Sequence, residues 1–287
     1  MSDKQNFSNL YLKKNLLEAI EALRFKSMTK IQEKALPHIL NSKDVIAEAQ
    51  TGSGKTLAFA LGLLSKLDPN VKSTQSLVLC PTRELAEQVA DEVRKLAKKT
   101  HNVKVLTLTG GTPFFPQAAS LEHGAHCIVG TPGRVLDHLG KRTLNLSQVN
   151  TLVLDEADRM LEMGFAEDLE NIVRRVPQDR QTLLFSATFT ENIKDIASKF
   201  LKKSVHVKAP VETVTIDETF YEVDEDKKEL QIASLLEKEI PISAVVFCNT
   251  KKGCEKLLKE NGIIKEGTLQ DLGNMVLNHN IIQALRA

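Results

Sequence analysis

The alternation of two hydrophobic patterns constrains the fold of this chain more than any other feature. Short runs rich in leucine and β-branched residues alternate with longer stretches of helical periodicity, such as "ELAEQVADEVRKLAKK" at 84–99. This order predicts an α/β fold, a parallel sheet with helices on both faces and with ligand sites at the carboxyl ends of its strands. The predicted strands are 44–47, 76–80, 103–108, 127–130, 151–155, 181–186 and 205–208.

A second pattern of the same kind begins near residue 219. It comprises the run "TFYEV" at 219–223, a predicted helix at 226–239, a predicted strand at 244–249 and a predicted helix at 251–261. The preceding stretch, 209–218, lacks helical periodicity and is typical of a connector. The chain is therefore expected to form a first domain over 1–208, a linker over 209–218 and a partial second domain over 219–287.

Composition limits the classes of protein that remain. The chain has 287 residues, of which 42% are hydrophobic, enough for a sizeable core. Its 38 basic and 37 acidic residues nearly cancel, so any site for a polyanion must be a local patch. No leader-like or membrane-spanning run is evident, which predicts a cytoplasmic protein without a membrane partner. The four cysteines lack metal-ligand spacing and are expected to be reduced. No metal is therefore expected other than the Mg²⁺ that accompanies a bound nucleotide, as argued below.

The stretch "AQTGSGKT" at 49–56 follows a predicted strand and precedes a predicted helix. It matches the phosphate-binding pattern G-x-x-x-x-G-K-T except that Ala49 replaces the first glycine. Gly52 and Gly54 allow the backbone N–H groups to curl around a phosphate chain at a helix N-terminus. Lys55 is expected to reach the outer phosphates and Thr56 to reach a magnesium ion.

An acidic cluster supplies the carboxylates that such a loop requires. In "TLVLDEAD" at 151–158, Asp155 ends an apolar strand, where a magnesium-directed carboxylate is expected, and Glu156 is a candidate base or water-positioning residue. The simpler interpretation is that Asp155 and Asp158 cap the helix that begins near Glu156. The presence of the phosphate loop favours the functional interpretation.

Together with "FKSMTKIQ" (25–32), "PTRELA" (81–86), "TPGR" (131–134) and "SAT" (186–188), these residues resemble the ordered motifs of the DEAD-box ATP-dependent RNA helicases over roughly residues 7–260. The connecting sequence is most similar to bacterial DbpA-type members, which act on large-subunit ribosomal RNA. The resemblance implies a RecA-like first domain and an incomplete second RecA-like domain. It also implies ATP and Mg²⁺ as cofactors, a monomeric protein, and RNA as the partner, with ribosomal RNA suggested. A small-molecule kinase is disfavoured, because it would not explain the motifs together.

The resemblance also implies roles for individual residues. Gln32 would bind the hydrogen-bonding edge of adenine. Phe7, which lies at the family's interval from Phe25, would stack on the base. The alternative for Phe7 is a hydrophobic anchor for the N-terminal segment. Arg24 stands where the family often has glycine. Nucleotide binding is expected of Phe7, Phe25, Gln32, Ala49, Gln50, Thr51, Gly52, Ser53, Gly54, Lys55 and Thr56; catalysis of Lys55, Asp155 and Glu156; and magnesium binding, partly through water, of Thr56 and Asp155.

Ser186, Thr188 and Asp158 are expected to couple the nucleotide state to RNA through hydrogen bonds toward the acidic motif. The residues expected to track RNA phosphates are Thr82, Arg83, Gly110, Gly111, Thr131, Gly133 and Arg134. The alternative for these loops is ordinary turn formation, since glycine and proline are common in turns.

The resemblance weakens after Gly262, and the family's arginine-finger motifs have no match before Ala287. Arg286 is expected to lie on a frayed terminus and to be a poor substitute. These observations predict a truncated helicase with slow ATP turnover and a second domain with an exposed core. Two alternatives stay open: an ATP- and RNA-binding remnant or regulatory module without unwinding, and a helicase completed by a second polypeptide.

Overall fold

The computed structural model describes residues 6–210, 217, 219–224, 227–239, 244–248 and 282–286. The chain divides into two compact units, Met1–Thr213 and Val214–Ala287. The division falls within the stretch that the sequence predicts as a linker.

The first unit contains a sheet of seven parallel strands in the spatial order β3-β4-β2-β5-β6-β1-β7. All seven strands lie where the sequence predicts them, so the predicted parallel α/β sheet is confirmed. The strands are β1 (Val45–Glu48), β2 (Ser76–Leu79), β3 (Val105–Leu108), β4 (Cys127–Gly130), β5 (Thr151–Leu154), β6 (Gln181–Ser186) and β7 (Val205–Lys208).

A 3₁₀ turn at Phe7–Asn9 and nine α-helices complete the described part of this unit. The helices are α1 (Lys14–Ala22), α2 (Lys30–Leu40), α3 (Lys55–Lys66), α4 (Arg83–Ala97), α5 (Phe114–Glu122), α6 (Pro132–Gly140), α7 (Ala157–Glu162), α8 (Ala166–Val173) and α9 (Glu191–Phe200).

Two apolar cores lie on opposite faces of the sheet, because successive side chains of a strand point to opposite sides. In β2, Val78 belongs to the core that includes residues of α1 to α4, whereas Leu77 and Leu79 belong to the core that includes residues of α6 to α9. Strands buried on both faces explain why these runs are continuously apolar in the sequence. Cys80 and Cys127 are buried free thiols, as the sequence predicts.

The second unit is described only in part. It contains helix α10 (Lys228–Glu239) and two parallel strands, β8 (Ala244–Cys248) and β9 (Ile282–Arg286). The helix and the first strand match the predicted ones, whereas the predicted helix at 251–261 lies outside the described residues. Residues 219–224 form no strand, although "TFYEV" begins the second predicted pattern. Arg286 is paired with Cys248 in the β8–β9 ladder, so the expected frayed end is wrong at this residue, because backbone pairing holds it.

Candidate functional site

The predicted site residues meet at one edge of the sheet. The phosphate loop follows β1, Thr82 and Arg83 follow β2, and Asp155 follows β5 directly. Gly110 and Gly111 follow β3, Thr131 to Arg134 follow β4, and Thr188 follows β6. Because all strands are parallel, their carboxyl ends lie along the same edge, as expected for a ligand site in this architecture.

The phosphate loop has the local geometry that its glycines allow. Gly52 and Gly54 have φ angles of +83° and +89°, and Gly54 is the N-cap of α3. A Cβ atom at Gly54 would collide with the Gln32 side chain, so the position requires glycine for both conformation and space. The buried ammonium of Lys55 donates a hydrogen bond to the carbonyl of Ala49 at 2.8 Å. Ser53 closes the turn by donating to the carbonyl of Gln50 at 2.7 Å.

Gln32 connects helix α2 to this loop. Its side-chain Oε1 accepts a hydrogen bond from Thr29 N at 2.9 Å, and its Nε2 donates to the carbonyl of Gly54 at 2.9 Å. The first bond belongs to the capping box at the start of α2. The amide is 3% exposed. Gln32 therefore holds the loop and the helix cap together, a role that the predicted adenine contact does not include.

The two aromatic residues predicted to bind the base lie in different surroundings. Phe7 is 3% exposed and packs within the first apolar core, which agrees with the hydrophobic-anchor alternative. Phe25 is 45% exposed and lies three residues after Ala22, the last residue of α1. Of the two rings, only Phe25 presents a substantial surface to solvent.

One acidic residue, Glu156, contacts the phosphate loop directly. Thr51 donates its hydroxyl hydrogen bond to Glu156 Oε1 at 3.1 Å, and Arg159 lies 3.5 Å from the other carboxylate oxygen. Glu156 has φ +49° and ψ +52°, a left-handed conformation that costs a non-glycine residue on the order of 1 kcal/mol or more. The surrounding contacts hold this conformation at the point where strand β5 gives way to helix α7.

Asp155 lies in a strongly acidic, buried environment. Burial raises its pKa to about 7, although the nearby Lys55 ammonium opposes the shift. Glu92 on α4 adds to the negative charge and is itself hydrogen-bonded to the side chains of Gln88 and Thr56; its pKa is raised, mainly by burial. The sequence analysis missed Glu92, because a glutamate on the polar side of an amphipathic helix carries no signal of its own.

Asp158 joins helix α7 to the loop after β6. Its Oδ2 accepts hydrogen bonds from Ala187 N at 3.1 Å, Thr188 N at 2.9 Å and Thr188 Oγ1 at 3.0 Å. Burial opposes ionisation, but the hydrogen bonds that the carboxylate accepts, from Thr188 and from other neighbours, together outweigh it and hold the pKa of Asp158 below its ordinary value. The contact between the acidic motif and Thr188 is therefore present in the structure. Ser186, also predicted to couple the site, is buried at the end of β6.

The predicted RNA residues differ in their exposure to solvent. Arg83 is exposed, and its guanidinium lies over Gly111, where a Cβ atom would collide with it. Gly110 and Gly133 have open space where a side chain would be. Arg134, in contrast, has a side chain only 12% exposed. It donates to the carbonyl of Thr112 and to Gln117 Oε1, each at 3.0 Å.

Thr82 and Thr131 occupy the N-cap positions of α4 and α6. The Thr82 hydroxyl accepts a hydrogen bond from Leu85 N at 3.3 Å, and Thr131 N donates to the carbonyl of Leu108 at 3.0 Å. The Thr82 hydroxyl therefore caps α4, whereas the Thr131 bond continues the pairing of β4 with β3. Their hydroxyls remain at the edge of the sheet that carries the phosphate loop.

The motif set can be compared with known proteins. The family model described as DEAD/DEAH box helicase matches residues 29–196, which contain the phosphate loop, the acidic motif and Thr188. This chain belongs to the DEAD/DEAH box helicase family. Within the residues that the structure describes, no helix is long and apolar enough to cross a membrane, and no cluster of three metal-ligating side chains occurs.

Several members of the DEAD/DEAH box family resemble the chain over most of its length. The ATP-dependent RNA helicase DbpA of Escherichia coli is 49% identical over 241 residues, which are 83% of this chain and 53% of that protein. The DEAD-box ATP-dependent RNA helicase CshA of Bacillus cereus is 44% identical over 272 residues, 93% of this chain and 52% of that protein. The chain thus spans about half the length of the curated relatives it matches.

Solved structures of the same family share the fold. A DEAD box protein from the hyperthermophile Methanococcus jannaschii has a TM-score of 0.70 and 36% sequence identity, and the match covers 98% of this chain and 80% of that one. A structure of S. cerevisiae Dbp5 has a TM-score of 0.74 and 28% identity, covering 98% of this chain and 74% of that one. The RecA-like architecture predicted for the sheet domain is therefore confirmed.

Proposed function

We propose that this chain binds ATP with Mg²⁺ and hydrolyses it in a reaction coupled to RNA binding and local duplex separation. The observation that carries the proposal is the contact between the phosphate loop and the acidic motif, where the Thr51 hydroxyl donates to Glu156 at 3.1 Å. This contact brings a phosphate-binding cation, a metal-directed carboxylate and a water-positioning carboxylate into one site, the combination that phosphoryl transfer to water requires.

Each of these groups has a defined role in the proposal. The Lys55 ammonium, bound to the Ala49 carbonyl at 2.8 Å, would exchange this partner for phosphate oxygens and neutralise their charge. Thr56 and Asp155 would hold Mg²⁺, which supplies further charge neutralisation on the phosphates. Asp155 is buried near the carboxylates of Glu156 and Glu92, and its pKa is raised to about 7. Such a negatively charged environment suits a divalent cation. Glu156 would orient the attacking water.

RNA is the proposed polymer partner. Arg83 presents an exposed guanidinium for phosphate oxygens, and the open space at Gly110 and Gly133 permits close approach of a backbone. Such contacts give little sequence specificity, and they need only a local patch of positive charge. A preference for large-subunit ribosomal RNA, a monomeric state and a cytoplasmic location stay predictions of the sequence resemblance.

The proposal is tested by nucleotide binding and turnover in the purified chain. Wild type should bind a fluorescent ATP analogue in the presence of Mg²⁺, and Lys55→Ala should weaken that binding by more than about 10-fold, because a charge-assisted contact is lost. Glu156→Gln should retain binding, while its RNA-stimulated hydrolysis falls by about 100-fold or more. Circular dichroism of each variant controls for folding.

The result also separates two functions. Hydrolysis that rises with RNA and disappears in Glu156→Gln supports an active helicase. Binding of nucleotide and RNA with hydrolysis at the level of Glu156→Gln supports a binding module without turnover. Absence of nucleotide binding in well-folded wild type would overturn the proposal altogether.

A further inference from the structure

An exposed aromatic side chain lies beside the proposed RNA loops. Phe115 is the second residue of α5 and is 83% exposed, whereas the neighbouring Phe114 is half-buried. Single exposed apolar residues are common on protein surfaces, so exposure alone defines no site. The way in which Phe115 is held, and what surrounds it, sets this residue apart.

Phe115 packs against a ring that is itself held in place. The Phe114 ring stacks on His138 at 4.2 Å between ring centres and 15° between planes, and Lys141 Nζ lies 3.9 Å from the same ring. His138 is fully buried, with ring nitrogens 2.8 Å from Thr143 Oγ1 and 3.1 Å from Gln117 Oε1. Phe115 meets Phe114 edge to face at 6.1 Å and 88°. An exposed ring supported in this way loses little conformational entropy when it binds a ligand.

The first turn of α5 is fixed to the loop that carries Gly110 and Gly111. Gln117 Nε2 donates to the carbonyl of Thr109 at 3.1 Å and to Thr112 Oγ1 at 2.6 Å. Arg134, from the loop after β4, donates to the carbonyl of Thr112 at 3.0 Å. These bonds fix the first turn of α5, which carries Phe115, to the loop that contains Gly110, where the space beside the backbone is open.

The charge near the ring favours a polyanion. Lys141 is exposed next to Phe114, and exposed Arg83 lies over Gly111. The acidic side chain of α6, Asp137, lies 3.6 Å from Arg134 Nε and is therefore already paired. An exposed aromatic ring on a surface that also carries cations is an arrangement used to bind unpaired nucleotides, since every base has a face that can stack and every nucleotide carries a phosphate.

We infer that Phe115 forms a stacking subsite for an unpaired base of the bound RNA, next to the phosphate contacts of Arg83, Gly110 and Gly111. The inference rests on the proposed RNA-binding function and adds a contact to a base where the other predicted contacts are to the backbone. The subsite is tolerant of sequence, because stacking on a phenyl ring does not depend on hydrogen-bonding groups.

The chain contains no tryptophan, which permits a direct test. Phe115→Trp introduces a single indole whose emission should be quenched, to saturation, as single-stranded RNA is added with Mg²⁺ and a non-hydrolysable ATP analogue.

RNA affinity is measured in parallel by anisotropy of a labelled oligonucleotide. Phe115→Ala and Phe115→Leu should each weaken binding roughly 5- to 30-fold, because neither retains an aromatic face. Val71→Ala, at a 44% exposed residue before β2 on the opposite edge, should bind as wild type.

An RNA series with one abasic nucleotide at successive positions identifies the base. At one position the abasic RNA should bind wild type more weakly, and Phe115→Ala should cause no further loss with that RNA. Equal RNA affinity of wild type and Phe115→Ala, or full recovery in Phe115→Leu, would overturn the subsite while leaving the proposed function intact. The second of these results would show that Phe115 contributes apolar contact area and not the stacking of a base. Failure of wild type to bind any RNA would overturn both.

Discussion

Arg24 has a backbone conformation that arginine disfavours. It follows the C-cap of α1 with φ +60°, and its N–H donates to the Glu21 carbonyl at 2.9 Å while Phe25 N donates to the Ile20 carbonyl at 3.2 Å. This pair of bonds is the Schellman ending of a helix, in which glycine is the usual residue at the left-handed position. The family's frequent glycine at this position, noted from the sequence, thus has a physical reason.

Arg24→Gly is expected to stabilise the chain. Glycine adopts the left-handed conformation without strain, and this gain should exceed the added entropy of the unfolded chain, raising the free energy of unfolding by about 0.5–1 kcal/mol. Urea denaturation measures the change. As a matched control, Lys98→Gly at the right-handed C-cap of α4 should lower stability by a similar amount. A decrease in both variants would contradict the interpretation of Arg24.

At the scale of elements, Gln32 joins the cap of α2 to the turn that begins α3. The Gln32→Ala variant leaves Thr29 N without its acceptor and the Gly54 carbonyl with only the longer bond from Ala58 N at 3.4 Å. We expect a loss of about 1–2 kcal/mol in unfolding free energy and weaker nucleotide binding, because the phosphate loop loses its tether. Denaturation and titration with an ATP analogue measure the two effects.

Gln32→Glu distinguishes the two bonds of this link. A carboxylate still accepts from Thr29 N but cannot donate to the Gly54 carbonyl, so the cap is kept and the tether is lost. Nucleotide binding should therefore fall at least as much as in Gln32→Ala, and the loss of stability should be no smaller, because a buried carboxylate oxygen faces the Gly54 carbonyl. A smaller loss of stability in Gln32→Glu than in Gln32→Ala would show that the cap bond outweighs this cost.

The elements also show how far the sequence could lead. The strands that end in the phosphate loop and in Asp155 were predictable, because continuous apolar runs between helical patterns identify buried parallel strands. Because the strands are parallel, the polar residues that follow them lie along one edge of the sheet. The role of Arg134 was not predictable: a "TPGR" motif does not reveal that this guanidinium is 12% exposed and bound to Thr112 and Gln117. Contacts between side chains distant in sequence depend on tertiary packing. The contact between Glu92 and Thr56 was not predictable for the same reason.

At the scale of the whole molecule, the seven described strands of the first sheet all lie before Pro210. The buried apolar residues that form its two cores lie between Phe7 and Ala209. The last of them belong to the edge strand β7, where Val207 is 8% exposed and Ala209 N donates to the Glu48 carbonyl at 3.0 Å. Lys34 also donates to the Lys208 carbonyl at 2.6 Å. Among the described residues, those up to 210 therefore include all seven strands of the sheet and the bonds between β1 and β7 at its edge.

A chain ending at Pro210 is expected to fold and to bind the ATP analogue as the 287-residue chain does. Its thermal midpoint for the sheet domain should change by no more than about 2 °C, a shift corresponding to about 0.5–1 kcal/mol for a domain of this size. A matched chain ending at Phe200 lacks β7, uncovers the edge of β1 and loses the partners of Lys34 and Glu48. Its midpoint should fall by about 5 °C or more, because an unpaired edge and a partly uncovered core remain. Similar midpoints for the two shortened chains would show that β7 is dispensable, whereas a large loss already at Pro210 would show that the stability of the sheet depends on the second unit.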